Sequence, residues 1–114
     1  MAMPQDLLAY RAQRAIVSAF FDGDETLIRL VGEVDLALAE SLDVTATEAT
    51  ASGKPVIVDV ERVTFIDSTG LAFLSRLAAA GHEIGSAPRI VGASCRVRDT
   101  IEIGGLLPVL DLAP

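Results

Sequence analysis

Hydrophobic and polar positions form two short apolar runs early in the chain and then recur at helical spacing. Residues 15–21 and 25–32 are rich in aliphatic and aromatic side chains, which predicts two strands. The polar run Asp-Gly-Asp at 22–24 between them is typical of a hairpin turn. Residues 36–52 follow with leucines and alanines three and four positions apart, which predicts an amphipathic helix. Asp35 is suited to cap the start of this helix.

The rest of the chain repeats a strand followed by a helix. Residues 55–60 are almost all apolar and mostly β-branched, a pattern typical of a strand covered on both faces. A helix is predicted over 69–81, because the segment carries an apolar stripe. Another is predicted over 95–105, because Ser94 can cap it and Gly104 and Gly105 end it. Short strands are predicted over 88–93 and 106–112, and a proline in the second of these predicts an edge position.

This order of elements indicates an α/β fold. Strands that alternate with helices after residue 25 predict a mostly parallel or mixed sheet of about five strands, with helices packed on it. Neither an internal repeat nor a low-complexity linker divides the sequence, so we expect one domain over residues 15–112. Residues 1–14 precede the first strand, and we expect them to form an arm or a short helix.

Composition and charge restrict the kinds of function. The 114 residues are 51% hydrophobic and 4% aromatic, which is enough to bury an aliphatic core without disulfides or metals. Nine Lys and Arg against sixteen Asp and Glu leave a net charge of −7. This charge repels nucleic acid phosphates and anionic membranes, and it attracts a basic protein surface. We therefore expect neither direct nucleic acid binding nor membrane association.

Cysteine and histidine are too scarce for several kinds of site. Cys95 is the only cysteine and His82 the only histidine, so we expect no disulfide framework, no metal and no cofactor. The thiol of Cys95 is expected to be a small, partly buried core group. We also expect neither a signal peptide nor a membrane span, because no apolar run is long enough. Together these features favour a cytoplasmic location.

The stretch FIDSTGLAFL at 65–74 places an acid and two hydroxyls at the start of an apolar helix. A serine nucleophile needs a base, but His82 is at the far end of the same predicted helix, roughly 20 Å from Ser68. The loop of an aspartic protease has glycine two residues after its aspartate, whereas Gly70 comes three after Asp67. Both enzyme hypotheses are therefore disfavoured.

Two other interpretations of this turn stay open from the residues alone. Asp67 or Ser68 can cap the helix, because a side-chain oxygen there accepts a hydrogen bond from a free amide and contributes about 1 kcal/mol. A phosphate on Ser68 would also be tolerated, because the amides and the dipole at a helix start favour an anion. It would add a charge of about −1.5 to −2, which spares the fold and breaks contact with an acidic neighbour.

Two segments resemble the signature of bacterial anti-sigma factor antagonists, the STAS-domain family. FIDSTGL at 65–71 follows an apolar strand and is similar to the family's motif. That motif is an apolar residue followed by Asp, by Ser, by either Ser or Thr, and then by Gly and Leu. LVGEVDLALA at 30–39 is similar to the family's Gly-Glu-Leu-Asp segment at the end of its second strand. The predicted order of elements also agrees with that fold, and the resemblance covers roughly residues 15–110.

The resemblance implies a regulator that is not an enzyme and works by partner switching. In that family the serine directly after the aspartate, here Ser68, is phosphorylated by an anti-sigma factor that has a serine-kinase ATPase domain. The unphosphorylated antagonist binds this kinase so that a sigma factor is released; phosphorylation ends the binding, and a phosphatase restores it. The residues expected at the phosphorylation site and the partner surface are Glu33, Asp35, Asp67, Ser68, Thr69 and Gly70.

The predicted topology also favours a cluster of these residues. The turn around Asp35 and the turn around Ser68 each join a strand to a helix, and such junctions of parallel strands share one edge of a sheet. A solvated turn with a simple helix cap would explain Glu33 and Asp35 equally well. An alternative function keeps the fold and makes the protein a STAS scaffold whose two turns line a pocket for a nucleotide or another small ligand.

Overall fold

The computed structural model describes residues 15–21 and 23–114, and its elements follow the predicted order. The strands are β1 Ala15–Phe20, β2 Thr26–Val34, β3 Val56–Ile66, β4 Arg89–Val91 and β5 Asp111–Leu112. The helices are α1 Ala39–Ser52, α2 Ser68–Ile84 and α3 Cys95–Ile103, with short 3-10 helices at Leu36–Leu38 and Leu107–Val109. The prediction of an arm or short helix at 1–14 lies outside the described residues.

The five described strands form one sheet in the order β1-β2-β3-β4-β5. β1 and β2 are an antiparallel hairpin, and every later pair is parallel. The predicted α/β fold with a mixed sheet is therefore confirmed. Because successive right-handed crossovers all step in the same direction across the sheet, the three helices lie on the same face.

The core lies between the helices and this face of the sheet. Side chains from β2, β3, β4 and all three α-helices join one apolar cluster, with Ile28, Leu30, Val58, Leu74, Leu77, Ile90, Val97 and Ile101 almost fully buried. On the opposite face Leu27, Ile57 and Asp59 are only half-buried. The prediction that residues 55–60 are covered on both faces is thus wrong, because the described helices cover one face alone.

β3 continues six residues beyond the predicted end of the strand at residue 60. It uses eleven residues where the paired β2 uses nine, with two register shifts between their common ends. Val60, Val63 and Ile66 stay buried although they are three positions apart, because each shift inserts one extra residue into β3. These two β-bulges interrupt the alternation of buried and exposed residues along β3. The last residues of β2 and β3, Val34 and Ile66, are nevertheless paired.

Two other predicted boundaries were wrong. α2 runs to Ile84 instead of residue 81, and Gly85 ends it in the left-handed region with φ 70°. Gly81 is a packing glycine inside the helix, since a Cβ there would lie 2.9 Å from Pro88 Cδ. The predicted strand at 106–112 is mostly a 3-10 helix, followed by the two-residue edge strand β5.

Candidate functional site

β2 and β3 end side by side at the carboxyl edge of the sheet. Val34 pairs with Ile66 as their last parallel pair, and the Asp67 amide donates a hydrogen bond to the Val34 carbonyl at 3.2 Å. Asp35 and Asp67 directly follow these strand ends, so the two acidic turns are neighbours. The structure therefore brings Asp35, Asp67 and Ser68 together at one edge, as the topology predicted.

Asp67, and not Ser68, caps α2. Its Oδ1 accepts a hydrogen bond from the Thr69 amide at 2.8 Å, and its carbonyl accepts one from the Leu71 amide at 3.0 Å. Ser68 is consequently the first residue of the helix, and its side chain is exposed. Thr69 follows it half-buried. The hydroxyl of Ser68 is therefore accessible to solvent and is not needed to hold the turn.

Asp35 caps the matching turn after β2. Its Oδ1 accepts a hydrogen bond from the Ala37 amide at 3.0 Å, and its carbonyl accepts one from the Leu38 amide at 2.9 Å. The capped element is a 3-10 turn that leads into α1, which starts three residues later than predicted. Leu38 packs against the core, whereas Leu36 is 75% exposed. The turn thus presents an apolar side chain beside the acids.

Glu33 shares the edge with Ser68 but not its face. It pairs with Phe65 in the sheet, and both side chains are exposed. Val34 next to it is buried, so Glu33 lies on the face that the helices do not cover. Sequence reasoning missed Phe65 as a surface residue, because a large aromatic side chain at the end of a strand predicts burial.

Gly70 allows α2 to start close to the strand ends. It is buried, and a Cβ at this position would lie 2.8 Å from Ile66 Cδ1 and 3.0 Å from Val34 Cγ1, with Ile66 Cγ1 closer still. A methyl group would therefore push the helix away from β2 and β3. The structure gives Gly70 this packing role, and its predicted contact with a partner stays a prediction.

A groove of about 420 Å³ runs between α1 and α2 beside the phosphorylation candidate. Arg76 forms an ion pair with Asp43 across it, at 2.5 Å, and donates a hydrogen bond to Thr47 at 3.2 Å. Sequence reasoning missed this groove, although Ser68 and Arg76 are eight residues apart and hence on the same side of the helix. The lining residues are Ala39, Leu42, Asp43, Ser68, Thr69, Ala72, Phe73 and Arg76.

Neither a histidine nor a group of possible metal ligands lies beside Ser68 in the described part of the chain. His82 is exposed in the last turn of α2, fourteen positions after Ser68, which is about 21 Å along the axis. Within 15–21 and 23–114, no three His, Cys, Asp or Glu side chains are grouped to hold a metal.

Cys95 is exposed at the start of α3, so the prediction of a partly buried thiol is wrong. None of the described helices has the length and apolar character that crossing a membrane requires.

Asp67→Ala is expected to lower the free energy of unfolding by about 1 kcal/mol, because it removes the cap of a seventeen-residue helix. Urea unfolding measures this directly. Ser68→Ala is the matched control and should change stability by less than about 0.5 kcal/mol. A loss with Ser68→Ala as large as with Asp67→Ala would show that the serine, not the aspartate, caps the helix.

The fold is similar to that of known anti-sigma factor antagonists. An antagonist from Mycobacterium paratuberculosis is 22% identical with a TM-score of 0.72, over 88% of this chain and 86% of that one. The antagonist SpoIIAA in its unphosphorylated form is 19% identical with a TM-score of 0.70, over 87% and 88%. SpoIIAA of Bacillus in its phosphorylated form is 23% identical with a TM-score of 0.64, over 88% and 91%. At these identities the likeness shows the fold.

The same fold occurs inside a larger protein of another kind. The murine anion transporter Slc26a9 is 17% identical with a TM-score of 0.67, over 99% of this chain and 23% of the transporter. A search of curated proteins gave no significant match. The family model of the STAS domain matches residues 16–114, which is most of the sequence. The chain therefore belongs to the STAS domain family.

Proposed function

We propose that this STAS domain is an anti-sigma factor antagonist controlled by phosphorylation of Ser68. With Ser68 free it binds an anti-sigma factor that has a serine-kinase ATPase domain, and a sigma factor is released. With Ser68 phosphorylated it no longer binds, and a phosphatase returns it to the binding form. The observation that carries the proposal is the exposed hydroxyl of Ser68 at the first position of α2, next to an aspartate that already supplies the cap.

Because Asp67 caps the helix and the Ser68 hydroxyl does not, Ser68 is suited to reversible modification. Asp67 holds the start of α2 through the Thr69 amide, so a change at the Ser68 hydroxyl breaks no described hydrogen bond. A phosphate at the first helical position also lies at the positive end of the helix dipole, where an anion is favoured. The phosphorylated protein is therefore expected to keep its fold, as a reversible switch requires.

The surroundings of Ser68 explain how phosphate would end binding. Asp35 and Asp67 already place two acids at the same edge as the serine, so a partner that covers this edge buries both carboxylates together with Ser68. A phosphate would bring about −1.5 to −2 further charge to the middle of that contact. Groups that are buried on binding lose their hydration, and like charges in an interface repel each other. Modification of Ser68 thus weakens association without unfolding the antagonist.

The acidic net charge supports a protein partner rather than a nucleic acid. The chain carries −7, and Glu33, Asp35 and Asp67 lie at the same edge of the sheet. The net negative charge attracts a basic partner from a distance and speeds its encounter, whereas the close contact at Ser68 determines whether the complex persists. We propose that this interaction takes place in the cytoplasm, where sigma factors and their regulators meet.

The proposal is tested by mapping phosphate on the protein as it is recovered from its own cells. Purified protein would be fragmented and analysed by mass spectrometry, together with Ser68→Ala and Thr69→Ala variants produced in the same way. We expect phosphate on Ser68 in wild type and in Thr69→Ala, and none on this turn in Ser68→Ala. Phosphate that is found on other residues but never on Ser68 would contradict the proposed switch.

A further inference from the structure

One face of the sheet is not covered by the described helices, and we call it the open face. Cross-strand partners point to the same side of a sheet, so the register places Phe20, Leu27, Ile57 and Arg89 in one row across four strands of this face. Leu27 and Ile57 are half-buried, whereas Phe20 is 51% exposed and Arg89 is also exposed. These side chains are therefore available to a flat partner surface.

The next row of the open face carries an ion pair. Ser18, Arg29, Asp59 and Val91 are aligned across the same four strands, and Arg29 Nε lies 3.3 Å from Asp59 Oδ2. The two rows are neighbours, because they are two residues apart along β2 and β3. A groove of about 290 Å³ continues the surface beyond the ion pair. Its lining residues are Arg29, Leu30, Val31, Asp59, Glu61 and Arg62.

Charge is balanced in this part of the open face. The groove is lined by two arginines and two acids, although the whole chain carries −7. A second copy of the chain is therefore not repelled here as it would be by a purely acidic surface. Because the arginine and the aspartate of the ion pair are on neighbouring strands at the same height, the face can be complementary in charge to itself.

We propose that the open face binds the open face of a second copy, around a two-fold axis that runs parallel to the strands between β2 and β3. Such an axis places β2 of each copy over β3 of the other at the same height. Arg29 then faces Asp59 of the other copy, and this contact occurs twice. Leu27 packs on Ile57 of the other copy, so apolar side chains are buried beside the two ion pairs.

The charges select this axis over a two-fold axis that crosses the strands at the ion pair. The crossing axis would set Arg29 against Arg29 and Asp59 against Asp59, and such like charges repel. The parallel axis also places Phe20 over Arg89 of the other copy, where a guanidinium on an aromatic ring is attractive. The Ser68 turns follow the carboxyl ends of the strands, outside this contact and at the same end of the dimer.

The size of the open face suits a reversible dimer. Strands are about 4.8 Å apart and rise about 3.3 Å per residue, so the described strands offer about 500 Å² per copy. Two copies would then bury about 1,000 Å², which is the lower limit for a specific interface. We therefore expect monomer and dimer to exchange with concentration.

Sedimentation velocity of the full chain, between about 1 μM and 1 mM, tests the pairing. The sedimentation coefficient of wild type is expected to rise with concentration. Arg29→Asp and Asp59→Arg should each raise the dissociation constant about tenfold, because each sets like charges against each other. Both side chains are partly exposed, at 49% and 20%, so each variant is expected to fold. An equimolar mixture of the two variants should restore the dimer, since one carries only acids at these positions and the other only arginines.

The matched control is Arg76→Asp, because Arg76 forms the second ion pair of the described residues, with Asp43, on the helical side of the domain. It changes the net charge as Arg29→Asp does and is expected to sediment like wild type. Wild type that stays monomeric, a dimer that survives Arg29→Asp, an equal loss in Arg76→Asp, or a mixture of the two variants that stays monomeric would overturn the pairing. Ser68→Glu should not alter sedimentation, so this result is independent of the phosphorylation proposal.

Discussion

Ser68→Glu is expected to weaken binding of the protein to its kinase anti-sigma factor about a hundredfold. The new carboxylate directly follows the Asp67 cap, at the same edge as the Asp35 turn, and is buried with these acids when the partner covers this edge. Like charges that meet in an interface cost several kcal/mol, and each 1.4 kcal/mol is a factor of ten in the dissociation constant. Titration of the purified pair by calorimetry or surface plasmon resonance measures the change.

Two controls separate a lost contact from a lost fold. Glutamate at the first position of a helix is compatible with the dipole, so urea unfolding of Ser68→Glu is expected to match wild type within about 1 kcal/mol. Ala79→Glu adds the same charge to an exposed position of α2, about 16 Å further along the axis. It should bind like wild type. Equal weakening by Ala79→Glu would mean that net charge, and not the position of Ser68, governs binding.

Gly70→Ala is expected to lower the free energy of unfolding by about 2 kcal/mol, even though alanine is the better helix former. The added Cβ would lie within 3.0 Å of side-chain carbons of Ile66 and Val34. Overpacking of this kind costs about 1 to 3 kcal/mol. The nearest atom, Ile66 Cγ1, is close to the backbone and cannot swing away as the end of a long side chain can. Urea unfolding of the variant measures the effect.

Ala72→Gly calibrates this experiment, because Ala72 is an exposed position of the same helix. Helix propensity alone predicts a loss of about 1 kcal/mol for Ala72→Gly and a gain of similar size for Gly70→Ala. Close packing predicts a loss for both. A more stable Gly70→Ala protein would therefore contradict the view that this glycine sets the distance between α2 and the ends of β2 and β3.

The order of strands and helices was predictable because apolar residues recur at a different spacing in a strand than in a helix. The apolar runs of β1 and β2, the helical stripe of α2 and the glycines that end the helices predict the observed α/β architecture without any tertiary information. The juxtaposition of Asp35 and Ser68 followed from topology, since junctions after parallel strands share an edge. The hairpin also followed from its polar turn, although Asp22 itself lies outside the described residues.

Tertiary packing determined what the sequence pattern could not predict. The two extra residues in β3 make buried positions recur every three residues between Val60 and Ile66. This spacing differs from the two-residue alternation of a strand, so the pattern did not predict that β3 continues to Ile66. The choice of Asp67 over Ser68 as the cap depends on one hydrogen bond of 2.8 Å to the Thr69 amide. Both residue types are good caps, so propensity could not decide between them.

The parts of the site that were missed all depend on distant neighbours. Leu36 and Phe65 are exposed because the strands end there and no described helix covers them, whereas their residue types predict burial. The groove between α1 and α2 depends on the ion pair of Arg76 with Asp43, which are 33 positions apart. No local pattern connects two positions at such a distance. The residues alone left phosphorylation of Ser68 as one open interpretation, and the resemblance of its motif to that of a known family selected it.

Capture from a lysate of the native cells tests partner switching most directly. Wild type, Ser68→Glu and Ala79→Glu would serve as parallel baits, and mass spectrometry would identify the bound proteins. Partner switching predicts that a kinase-type anti-sigma factor is held by wild type and by Ala79→Glu and is lost from Ser68→Glu. Equal amounts of this kinase on all three baits, or none on any, would contradict it and favour the alternative that a small ligand binds in the groove beside Ser68.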